Sequence, residues 1–135
     1  MALAQAMDSA YHQDRVLRLG SVEADHRASL LAGAQALAYP SRYEGFGFPP
    51  LEAMSSGVPV VATYAGALPE VLGHAAALVP VGDVDALAGA LAELLDDAQL
   101  RTRSIDAGLR KASGYDWGRT AAAMVKLYKR AAQRS

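Results

Sequence analysis

The 135-residue sequence has no cysteine, which excludes disulfides, thiolate metal sites and cysteine nucleophiles. It also has little net charge: 13 Lys and Arg against 14 Asp and Glu leave −1, so nothing favours a nucleic acid or another polyanion as partner. No run approaches the roughly 20 apolar residues that cross a bilayer. The opening MALAQAM has no basic leader before a long apolar stretch, so a cytoplasmic chain without a membrane span is expected. The three histidines, His12, His26 and His74, lie far apart without carboxylates at ligand spacing. No metal and no other cofactor is therefore assigned.

What is present is 52% hydrophobic residues in a length that suits one domain, enough for a real core. Short apolar runs, Val16–Leu19, Ala34–Tyr39, Val58–Ala62 and Ala76–Val79, read as strands closed by Gly, Pro or Ser. Helical patterns separate them at Glu23–Ala32, Pro49–Ser56 and Pro69–Leu72, with Pro at early helical positions where a missing N–H costs nothing. This β-α alternation predicts an α/β fold on a parallel sheet of about four strands. The chain then turns helical. Asp83 caps a helix with an apolar stripe at Val84, Leu87, Leu91, Leu94 and Leu95, a second helix runs around Leu100 to Leu109, and Asp116 caps a last one.

Chemistry concentrates in Ser41–Ala62, SRYEGFGFPPLEAMSSGVPVVA. There a strand ends, a glycine loop follows, and a helix opens with two prolines. Ligands of parallel α/β sheets bind beyond the carboxyl ends of strands, where a helix start offers unpaired N–H groups and a positive dipole end to an anion. Gly45 and Gly47 let backbone approach that anion, and the free donors are expected mainly from Leu51 and Glu52. Two acids, Glu44 and Glu52, stand seven residues apart around the helix start. A carboxylate accepts hydrogen bonds from sugar hydroxyls, whereas beside a diphosphate it repels. The backbone thus suits phosphate and the carboxylates suit hydroxyls.

EGFGFPPLE followed by AMSSGVPVVA resembles the E-x7-E signature of family-four retaining glycosyltransferases, and the likeness extends from VLRLGSV at Val16 through LPEVLGHAAALV to the YDW before the last helix. The resemblance implies the C-terminal, nucleotide-sugar-binding part of a two-Rossmann (GT-B) enzyme, with residues 1–135 forming one donor-binding domain truncated on its N-terminal side. It implies that Glu44 acts catalytically by holding hydroxyls of the transferred sugar. Gly45, Phe46 and Gly47 would line that sugar and the diphosphate, Leu51 would donate its N–H to phosphate, and Glu52 would hold the ribose. The turn at Gly20, Ser21 and Val22 would border the base. Phe46 acts through its backbone, its side chain reading as a core anchor; Thr63 and Gly66 stand between a donor contact and a plain connection.

The implied partners are a nucleotide-diphosphate sugar, an acceptor of unspecified nature, and an N-terminal-domain chain or a second copy of this one. Set against the family's six-stranded order 3-2-1-4-5-6, the four runs correspond to strands three to six, which puts VLRL about 10 Å from AQALAY. A donor-binding subunit or a non-catalytic interaction remnant are the other readings. A dinucleotide-dependent dehydrogenase ranks behind them, because no G-x-G-x-x-G follows the first run.

Overall fold

The computed structural model describes residues 15–133; the opening MALAQAM and His12 lie outside them. Helix α1 (Ala24–Ala32) leads to strand β1 (Leu37–Tyr39), helix α2 (Phe48–Ser55), strand β2 (Val60–Thr63), helix α3 (Leu68–Leu72), a 3-10 turn (Gly73–Ala75) and strand β3 (Ala77–Val79). Three helices follow: α4 (Val84–Asp96), α5 (Ala98–Ala112) and α6 (Trp117–Ala132). The strands form one parallel sheet in the order β1-β2-β3, Leu37 opposite Val60 and Val61 opposite Ala77.

All four residues of the central strand β2 are buried. A middle strand covered on both faces needs a continuous apolar run, which is what VPVVA supplies. Side chains alternate across the sheet, and the core divides accordingly. Val60 and Ala62 join Leu51, Met54, Leu68 and Leu72 on one face, while Val61 joins Val79 and Leu94 on the other. Helix α2 approaches α5 closely because Gly108 has no side chain; a Cβ there would stand 3.1 Å from Met54 Cγ. Asp83 and Asp116 cap α4 and α6 as the sequence predicts, accepting from the N–H groups of Ala86 and Gly118. Asp97 does the same for α5 with two N–H groups, those of Gln99 and Leu100.

The α/β class and the parallel sheet are as expected, but among the described residues the sheet has three strands, not about four. Val16–Leu19 forms no ladder and leaves Leu17 83% exposed. A strand is held by a neighbour's hydrogen bonds and by a buried face, and among the described residues this segment finds neither. Among the described residues β1 is thus the edge of the sheet on that side. The last helix is also uncovered among the described residues: no residue of α6 is buried, and Trp117 is 79% exposed.

Candidate functional site

The Ser41–Gly47 loop is held from the neighbouring strand's exit. Thr63, buried at the end of β2, donates its hydroxyl to the Ser41 carbonyl at 2.5 Å. The Ala67 N–H donates to the Glu44 carbonyl at 3.0 Å. Between these ties sits Gly66 with φ of +51°, and a Cβ on it would lie 2.1 Å from the Glu44 carbonyl oxygen. Only glycine permits that approach. Thr63 and Gly66 therefore position the loop.

The two loop glycines differ in what surrounds them. A Cβ at Gly45 would meet nothing within 4 Å, so this backbone faces open space. Gly47, the N-cap of α2 with φ of +101°, packs inward, since a Cβ would stand 2.6 Å from Leu68 Cδ2 and 3.9 Å from Glu44 Cγ. The Glu44 side chain therefore lies against the first residue of the helix start. Helix α2 begins at Phe48, and Pro49 and Pro50 carry no N–H, so its unpaired donors are those of Gly47 and Phe48. The Leu51 N–H, expected to be free, turns to the Gly47 carbonyl at 3.4 Å, and the Leu51 side chain is buried. The helix opens one residue earlier than the prolines suggest, which moves the free donors upstream.

Tyr39, the last residue of β1, donates its hydroxyl to Glu44 Oε2 at 2.5 Å. Sequence reasoning missed it; the available signal was a single phenol closing an otherwise apolar strand five residues before the acid. The tyrosine hydroxyl holds the Glu44 carboxyl below its ordinary value, with a weaker pull from the N–H groups of Phe46 and Gly45 against the opposing effect of burial. Burial, then the Glu44 bond and its charge, push Tyr39 up to about 12. The signs define a window. The depressed Glu44 contributes stability above its ordinary 4.5 that is lost as pH falls through the folded value, and the raised Tyr39 contributes stability below 10.0 that is lost as pH rises towards 12. Denaturation midpoints of the native chain and Tyr39→Phe should accordingly differ by a constant amount between about pH 5 and 10, with the gap closing at both ends; a gap unchanged at pH 3 and pH 12 would contradict the pairing.

Glu52, in the second turn of α2, is half-buried and takes an ion pair from Arg27 of α1 at 3.3 Å. The pair is solvent-exposed, so it contributes little to stability. Glu52 also borders an open cavity of about 550 Å³ shared with Phe46, Phe48, Leu51, Tyr115 and Trp117. The Phe46 ring packs edge-on to Tyr115 at 5.7 Å and against the main core, as an anchor does. Val22 lies elsewhere, in a shallow groove with Leu19, Ser21 and His26. The structure thus brings Glu44, Gly45, Phe46, Gly47 and Glu52 around one helix start, whereas Val22 lines a separate groove. Among the described residues no three His, Asp or Glu side chains cluster as metal ligands would.

A strand end, a glycine loop and a helix start flanked by two acids thus meet in one place. A sequence profile of the family "Glycosyl transferases group 1" matches residues 2–97. The chain belongs to this family. It is 46% identical over 111 residues to the MMP alpha-(1->4)-mannosyltransferase of Mycolicibacterium hassiacum, an overlap of 79% of this chain and 27% of that protein. It is 36% identical over 125 residues to O-antigen chain mannosyltransferase B of Escherichia coli, covering 93% of this chain and 33% of that one. Among solved structures, sucrose-phosphate synthase from Thermosynechococcus elongatus superposes with a TM-score of 0.84 at 28% identity, covering 99% of this glycosyltransferase-family chain and 35% of the synthase. The chain therefore spans about a third, or less, of the length of these relatives.

Proposed function

We propose that this chain is the nucleotide-sugar-binding part of a retaining glycosyltransferase of the E-x7-E type, taking its donor across the start of α2. The observation that carries the reading is the packing of Glu44 against Gly47: one acid lies on the N-cap of the helix whose second turn carries the other. Phosphate oxygens are received by the N–H groups of Gly47 and Phe48 and by the helix dipole, and Gly45 leaves room for them. Leu51 supports this seat through the helix hydrogen bond it gives to Gly47. Glu44 accepts from the transferred sugar, Glu52 from the ribose diol, and Val22 borders the base at the rim. Because both named transferase relatives are mannosyltransferases, a nucleotide-diphosphate mannose is the donor to test first.

In the reaction so read, the anomeric bond to diphosphate breaks while an acceptor hydroxyl attacks from the same face and gives its proton to the departing diphosphate oxygen. Charge gathering on the leaving group meets backbone N–H groups and the helix start, with no metal invoked. Acceptor binding and further cationic groups belong to a second domain or chain, so the 135-residue chain binds the donor weakly and transfers nothing alone. Amide NMR spectra recorded during titration with GDP-mannose and UDP-glucose test this. Millimolar binding with shifts at Gly45, Gly47, Phe48 and Glu52 is expected. Shifts confined to α4 and α5, or sub-millimolar binding together with turnover, would overturn the reading.

A further inference from the structure

Both ends of the bond between Tyr39 and Glu44 are anchored in the sheet. Tyr39 is registered against Ala62 of the central strand, and its ring packs on the main core. The Glu44 backbone is fixed by the Ala67 N–H and by the contact with Gly66. The side chain between these anchors rests on Gly47. Its Oε2 is committed to the phenol, whose single proton is thereby spent. Any further hydroxyl meeting the pair must arrive as a donor, to the carboxylate lone pairs that the phenol leaves free. Glu52 is held differently, by one 3.3 Å contact from an exposed guanidinium, through Oε1 alone. That contact is readily exchanged for hydroxyls, which leaves both Glu52 oxygens available to a vicinal diol.

We propose that Tyr39 is a positioning residue that fixes the orientation of the Glu44 carboxylate on the N-cap of α2, so that its remaining lone pairs meet the transferred sugar's hydroxyls in one preset direction. This deepens the donor-site reading and rests on it for the identity of the ligand. The arrangement is set before any ligand arrives, and so costs little ordering when one binds. Tyr39→Phe keeps the ring and its packing and removes only the donor.

Two measurements on the 135-residue chain test the proposal. The first needs no ligand: carbon-13 titration of the Glu44 carboxyl should shift to a higher midpoint in Tyr39→Phe, a change that a merely structural ring would not cause. An unmoved midpoint overturns the proposal outright. The second compares GDP-mannose with its four monodeoxy analogues by NMR titration, GDP serving as the sugarless control. At least one analogue should bind the native chain about tenfold more weakly than GDP-mannose, the loss expected for one hydrogen bond to a charged group, and Tyr39→Phe should shrink that ratio at least threefold. A ratio unchanged in Tyr39→Phe contradicts the positioning role while leaving the donor site standing. GDP-mannose binding no better than GDP, with the Glu44 midpoint still shifted, would remove the sugar role and with it both readings, but not the hydrogen bond itself.

Discussion

Gly66→Ala should cost about 3–5 kcal/mol of stability, combining a left-handed backbone conformation with overpacking against fixed main chain. The added Cβ would lie 2.1 Å from the Glu44 carbonyl oxygen, with the Glu44 carbonyl carbon and nitrogen each 3.0 Å away. Main chain on both sides leaves no flexible side chain to give way. Gly82→Ala is the control: its φ is +83°, but the new Cβ meets nothing within 4 Å, so only the conformational cost of about 1–2 kcal/mol applies. Urea denaturation of the two variants separates the effects. Equal losses would mean that the β2–α3 loop does not press on the Glu44 loop, and the seat described for that acid would fall. Should Gly66→Ala fail to fold at all while Gly82→Ala folds, the ordering of the two stands.

The second large effect divides the two acids. In a reconstituted full-length glycosyltransferase context, Glu52→Ala should weaken GDP binding about 30-fold or more, since two hydrogen bonds from a ribose diol to a charged group are lost. Glu44→Ala should leave GDP affinity within about threefold and lower sugar transfer at least tenfold, because its partner belongs to the transferred sugar. Calorimetry with GDP and steady-state kinetics with GDP-mannose give the two readouts. Equal or reversed effects on GDP would contradict the assignment of Glu52 to the ribose and of Glu44 to the sugar.

Much of this site was legible because its chemistry lies in one short stretch. EGFGFPPLE places both acids, both glycines and the helix start within nine residues, and a strand-loop-helix turn leaves such a stretch few ways to fold. VPVVA declared itself a central strand because burial on both faces needs an unbroken apolar run. Val16–Leu19 misled for the same reason in reverse: VLRL has the composition of a strand, yet a strand exists only with a partner ladder, and composition does not reveal whether one is there. The helix start was placed one residue late because proline marks early helical positions without fixing which one is first.

The contacts between distant segments were illegible. That Gly66 faces the Glu44 carbonyl, that Thr63 ties Ser41, and that Arg27 reaches Glu52 depend on the lateral order of β1 and β2 and on how α1 docks on α2. None follows from local spacing. Tyr39 is the instructive case: its phenol reads as core from the pattern of its strand, and acquires a polar function only because the loop after it folds back over the strand end.

A crystal structure of the donor complex, with GDP-mannose bound to this chain or to the longer enzyme that contains it, addresses the account most directly. The prediction is diphosphate oxygens on the N–H groups of Gly47 and Phe48, ribose hydroxyls on Glu52, and a mannose hydroxyl on Glu44 beside Tyr39. Diphosphate seated away from the start of α2, or Glu44 and Glu52 turned to opposite sides of the nucleotide with neither touching it, would contradict it.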